Sequence, residues 1–68
     1  SAVAALEKRA LSELQDAGLK PEYVEICDGI TLQKVQVPSD HTYIVACLAV
    51  WAGKVRLIDN LVLKGGPD

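Results

Sequence analysis

The sequence has no methionine, no phenylalanine and one histidine, and only three of its 68 residues are aromatic: Tyr23, Tyr43 and Trp51. Any core must therefore be assembled from Val, Leu, Ile and Ala, within a composition that is half apolar. Neither charge sign dominates. Seven basic and nine acidic residues are interspersed, giving a net charge of -2. The absence of a basic stripe with interleaved aromatics argues against a dedicated nucleic-acid binder. No apolar run is long. Tyr43 to Ala52 falls far short of the ~20 residues that a membrane-spanning helix needs, and no charged segment followed by an apolar one opens the chain as a signal peptide would. We expect a cytoplasmic protein with no membrane partner. The two cysteines, Cys27 and Cys47, have neither CxxC spacing nor a neighbouring His, which argues against zinc. Both lie in apolar runs and read as reduced thiols acting as small hydrophobes. The other reading is a disulfide, which would need an oxidising compartment that nothing here indicates.

The length allows one small domain. A chain this short buries only about 60% of the surface its unfolded form exposes. Residues 3 to 17 carry a helical period: Val3, Leu6, Ala10, Leu11, Leu14 and Ala17 fall within one arc, with Arg9, Ser12 and Asp16 opposite. Ser1 is placed to cap the start, Gly18 to follow the last turn, and Pro21 to prevent continuation. Tyr23 to Asp28 alternates at period two and predicts a strand, closed by the turn pair Asp28-Gly29. Residues 30 to 42 hold Pro38, Ser39 and Asp40 and read as a surface connection, with a short extended piece at Thr31 to Val35. Tyr43 to Ala52 is apolar without alternation, as a central strand covered on both faces should be. Gly53-Lys54 suits a two-residue type II′ hairpin turn, and the strand returns to Leu63. Gly65-Gly66-Pro67 predicts a flexible tail over residues 65 to 68. The fold class is α+β, a helix packed on a small three-stranded, mainly antiparallel sheet.

The turn fixes a register. With Gly53 and Lys54 as the loop, Ala52 faces Val55, Trp51 faces Arg56, and the pairs run on to Leu48 with Asp59 and Cys47 with Asn60. Opposed residues share a face. One face then carries Ile44, Ala46, Leu48, Val50, Val55, Leu57, Leu61 and Leu63 and is the seat for the helix. Asp59 is the one charge on it. Because a buried carboxylate is costly unless hydrogen-bonded, Asp59 is expected at a bulge, accepting backbone N–H bonds. The other face carries Tyr43, Val45, Cys47, Ala49, Trp51, Arg56, Ile58, Asn60 and Val62. One helix cannot cover both sides. Tyr43, Val45, Ala49, Trp51, Ile58 and Val62 are therefore expected to meet a partner: another domain or a second copy of the chain.

No catalytic constellation is complete. Ser39, Asp40 and His41 have the residue types of a triad, but sequence neighbours rarely reach its geometry, and His41 reads as a loop histidine. Glu22, Glu25 and Asp28 could do acid–base work, though charges guarding a strand edge explain them more simply. Lys54 and Arg56 could meet an anion, or Arg56 could stack on Trp51. Gly65-Gly66 lacks the helix and the Lys-Ser/Thr of a phosphate loop.

Two segments carry a resemblance. Gly18-Leu19-Lys20-Pro21-Glu22-Tyr23-Val24-Glu25-Ile26-Cys27-Asp28, followed by Thr31-Leu32, resembles the entry to the C-terminal domain of the pantoate–β-alanine ligases (pantothenate synthetases). Gly53-Lys54-Val55-Arg56-Leu57-Ile58-Asp59-Asn60 resembles that domain's closing hairpin, with Arg56, Asp59 and Asn60 as its structural signature. Cys27, Cys47 and the Val50-Trp51 pair depart from the pattern. The resemblance implies a lid domain over residues 1–64. It also implies a missing N-terminal nucleotide-binding domain that uses ATP and Mg²⁺ to make a pantoyl adenylate, which β-alanine then captures. The family's paired-histidine motif and its Lys-Met-Ser-Lys-Ser-like loop have no counterpart here. The resemblance therefore implies no catalytic, cofactor or metal residue in this chain; the open apolar face, cut free of the missing domain, leads us to expect a homo-oligomer, most simply a two-fold dimer of this chain. The alternative is a non-catalytic module that uses the open face for a protein partner or a small regulatory ligand.

Overall fold

The computed structural model describes residues 1–66; Pro67 and Asp68, the end of the expected tail, lie outside the described residues. The order is α1 (Ala2–Asp16), β1 (Lys20–Asp28), a 3-10 turn (Pro38–Asp40), β2 (Ile44–Ala52) and β3 (Val55–Lys64). The strands form one antiparallel sheet in the order β1-β2-β3. This is the α+β arrangement that the periodicities predict.

Local signals set the helix ends. The Ser1 hydroxyl accepts the Ala4 N–H at 3.1 Å, supplying a partner that the first turn lacks. Gly18 takes φ +77° just beyond the last turn, and the Leu19 N–H donates back to the Leu14 carbonyl at 3.0 Å. The hairpin is equally local. Gly53 alone of the two turn residues has positive φ, +61°, as a type II′ turn requires. From Ala52↔Val55 the ladder runs unbroken through Trp51↔Arg56, Ala49↔Ile58, Leu48↔Asp59 and Cys47↔Asn60 to Val45↔Val62.

Two register shifts depart from simple alternation. One falls opposite Ile44 and Val45, where β3 accommodates Leu63 as an extra residue. The second falls in β1 between Pro21 and Tyr23, leaving Glu22 without a partner across the ladder. β1 also starts at Lys20, three residues earlier than the alternation suggests. Pro21 does not stop it, because β1 is an edge strand and can spare an N–H.

The core lies between α1 and one sheet face: Ala10, Leu14, Ile26, Val35, Ile44, Ala46, Leu48, Val50 and Leu63 are all buried. Arg9 ties the helix to the end of β3, donating to the Leu63 carbonyl at 3.0 Å. α1 packs chiefly on β1 and barely meets β3. A single helix is only about 10–12 Å across, so the hairpin half of β3 stays outside its cover. Val55, Leu57 and Asp59 are exposed there. The buried, bulged Asp59 expected from the sequence is therefore corrected. Its strand is regular at that point, its side chain is exposed, and among the described residues its carboxylate accepts only the adjacent Asn60 N–H, at 2.7 Å.

Candidate functional site

The face of the sheet away from α1 is built in rows by the two ladders: Lys20, Trp51 and Arg56; Tyr23, Ala49 and Ile58; Glu25, Cys47 and Asn60; Cys27, Val45 and Val62. Val45 and Ala49 lie on the middle strand and are buried, Ala49 between the larger Tyr23 and Ile58. They contribute almost no accessible surface. The surface a partner could touch comes from the flanking strands, with Ile58 at 69% and Val62 at 48% exposure, joined by Trp51 and by Tyr23. The sequence signal for Tyr23 was its alternation with Glu25 on β1. Tyr43, half-buried at the far end, lays its ring on Gly29.

At the hairpin end the face becomes polar. The unpaired Glu22 swings to this side, where its carboxylate takes a two-pronged contact from Arg56, with Nη2 at 2.8 Å and Nε at 3.2 Å. The Trp51 indole N–H donates to the same carboxylate at 3.2 Å. One residue from each strand thus meets at a single carboxylate. The Arg56 hydrogen bond holds Glu22 below the usual carboxylate range, with Trp51 assisting and partial desolvation opposing. The same contact raises Arg56. Arg56 is thereby committed to Glu22, and a free anion would have to displace an intramolecular partner. A shallow cavity of about 370 Å³ lies beside the cluster, lined by Lys20, Pro21, Glu22, Trp51 and Gly53. Of the other signature residues, Asn60 lies exposed on this face and Asp59 on the opposite one.

The two cysteines are free. Each lies diagonal to the other across the β1–β2 ladder. Burial, with a hydrogen bond to Cys47 second, pushes the Cys27 thiol up to about 11. Such a thiol stays protonated at neutral pH and is a poor nucleophile. His41 does not join Ser39 and Asp40 in a triad. Its Nδ1 lies 2.8 Å from Asp28 Oδ2, and the other Asp28 oxygen accepts the N–H groups of Ile30 (2.8 Å) and Thr31 (3.0 Å). These bonds, His41 foremost, hold Asp28 down at about 2. Glu25 faces Lys34 at 3.7 Å. The three β1 carboxylates therefore serve separate partners and form no acid–base pair. Among the described residues, no three His, Cys, Asp or Glu side chains are grouped to hold a metal ion. No helix among them is long and apolar enough to cross a membrane.

The model of the pantoate-beta-alanine ligase family matches residues 1–62, covering the helix and nearly all of the three strands. The chain belongs to the pantoate-beta-alanine ligase family. It is 48% identical over 63 residues to the pantothenate synthetase of Bacteroides thetaiotaomicron, covering 91% of this chain and 22% of that protein. It is 54% identical over 48 residues to the pantothenate synthetase of Phocaeicola vulgatus, covering 71% and 17%. With that of Stutzerimonas stutzeri it shares 44% over 59 residues, covering 87% and 20%. The chain thus spans about a fifth of the length of the relatives it matches. As a ligase-family chain it is a partial domain, and the signature stretch Arg56 to Asn60 lies within the matched residues.

Proposed function

We propose that these residues form the C-terminal lid of a pantothenate synthetase, a cytoplasmic ligase that joins pantoate to β-alanine through a pantoyl adenylate. The observation that carries the reading is the family match across residues 1–62, in a chain whose described residues form a two-layer body with one open sheet face. An acyl adenylate is wasted if water reaches it, so a closing domain contributes by excluding solvent and completing the site. ATP and Mg²⁺ belong to the remainder of the protein. Two of the carboxylates here are already engaged: Glu22 by Arg56 and Trp51, and Asp28 by His41 and its own turn. The open face, through Tyr43, Trp51, Ile58 and Val62, meets the nucleotide-binding domain; in these 68 residues alone it pairs with a second copy about a two-fold axis.

The test is made on the full-length protein and on a truncation lacking this domain. Full-length protein should form pantothenate from pantoate, β-alanine and Mg-ATP. The truncation should still bind Mg-ATP while losing most of its amide formation, and residues 1–68 alone should show no ATP binding by calorimetry. Full activity in the truncation, or micromolar ATP binding by the 68 residues, would refute the lid reading.

A further inference from the structure

The connection between β1 and β2 presents apolar side chains to solvent at its tip. Ile30 is 78% exposed and Leu32 56%. Surface connections are ordinarily polar and mobile; this one carries two exposed aliphatic side chains on a tip tied by local hydrogen bonds. The Asp28 carboxylate accepts the Ile30 and Thr31 N–H groups, and the Leu32 N–H donates to the Asp28 carbonyl at 2.9 Å. The Gln33 N–H donates to the Thr31 hydroxyl at 3.3 Å. The Asp28 N–H returns to the Gln33 carbonyl at 2.9 Å. Leu32 itself stands at φ +61°, the one non-glycine residue with positive φ among those described. A leucine Cβ is crowded there, and Gly or Asn is the usual occupant. Strain held in place by surrounding bonds is a feature of functional segments. Neither the strain nor the exposed aliphatic surface helps this domain fold. The ring of Tyr43 on Gly29 joins the turn to the end of the open face.

We propose that the Ile30–Leu32 turn is a rigid apolar anchor that seats in the nucleotide-binding part of the same polypeptide when the lid closes. The inference rests on the lid reading and deepens it by naming the contact. Its occupant follows from size. Two side chains on one turn cannot approach the ~800 Å² per partner of a stable association between separate molecules. Within one polypeptide the effective concentration is already high, and a small contact suffices. About four-fifths of the length of the Bacteroides thetaiotaomicron relative lies outside the matched segment, which provides that polypeptide.

The experiment uses the full-length enzyme with Leu32→Gly, Leu32→Asn and Ile30→Ser. Glycine removes the side chain and relieves the backbone at once, so the melting temperature separates a lost contact from misfolding. With Leu32→Gly the melting temperature should hold or rise, while kcat/KM falls about tenfold, the scale set by burying one half-exposed leucine. AMP released per pantothenate formed should increase, because an unseated lid admits water to the adenylate. Leu32→Asn, which tolerates the same backbone, and Ile30→Ser should behave alike. Unchanged kinetics in all three variants would overturn the proposal. So would losses that track a lowered melting temperature, or a fall in sedimentation mass showing that the turn seats a second copy. A wild-type enzyme without ligase activity would instead overturn the lid reading, and that result is read before any variant is made.

Discussion

Leu48 and Asp59 face each other across the β2–β3 ladder, yet their surroundings are opposite, and the pair makes a sharp stability test. Leu48 is 3% exposed and belongs to the core under α1. Asp59 is exposed, and its carboxylate has a single bond, to its neighbour's N–H. Leu48→Ala removes three carbons from a packed site and should cost about 2–5 kcal/mol, transfer and cavity together. A 68-residue domain has a total stability of roughly 3–10 kcal/mol, so this variant should be largely unfolded or melt far lower. Asp59→Ala removes no packing and no long-range bond, and should stay within about 0.5 kcal/mol. At ~4–8 °C per kcal/mol for a domain of this size, its melting temperature should move by less than about 4 °C. Circular dichroism melts of both variants decide the matter. A fall beyond about 8 °C for Asp59→Ala would mean that Asp59 is buried, as its place on the helix-facing side alone suggests, and that α1 extends over the hairpin. If the melt holds and the same substitution abolishes activity in the full-length ligase, the signature carboxylate acts on something outside this domain.

Two further outcomes follow from the titrating groups. Asp28 has a folded pKa of about 2 against an ordinary 3.8, so its ion contributes stability above about pH 4, and that contribution is lost as pH falls through 2. Urea melts between pH 6 and pH 2 should show this acid limb in the native chain and a weaker one in Asp28→Asn, which keeps an acceptor for the turn but not the charge; equal limbs would refute the assignment. Iodoacetamide at pH 8 should label Cys47 well before Cys27, because Cys47 is half-exposed while Cys27 is buried with its thiol raised to about 11. Peptide mass spectrometry gives the order, and preferential labelling of Cys27 would contradict it.

The elements that could be read from the sequence are those fixed by near neighbours. Ser1, Gly18 and the 3.6-residue stripe define α1 within one residue at each end. Gly53-Lys54 defines the hairpin, and counting outward from it yields every pair from Ala52↔Val55 to Cys47↔Asn60. What stayed hidden depends on the third dimension. Alternation places Asp59 on the helix side but does not say how far along the sheet the helix reaches. β1 and β3 lie roughly 10 Å apart across β2, about one helix diameter, so a helix seated on β1 leaves the outer half of β3 bare. Nothing in Thr31-Leu32-Gln33 announces a left-handed leucine, since the residues that favour that conformation are absent from the position.

The Glu22 cluster shows why the site was harder to read than the fold. Strict alternation backward from Tyr23 would put Glu22 on the helix side, away from Trp51 and Arg56. The register shift beside Pro21 reverses that assignment and brings one carboxylate under two donors from the other strands. Proline makes the irregularity tolerable, because an edge residue without an N–H has no ladder bond to lose. The arrangement also changes what Arg56 can do. Free, it would be a surface cation available to any phosphate or carboxylate; held by Glu22, it braces the hairpin end of all three strands. Glu22, Arg56 and Trp51 brace one end of the sheet and Asp28 and His41 the other, so that the body proposed above as a lid would close without bending.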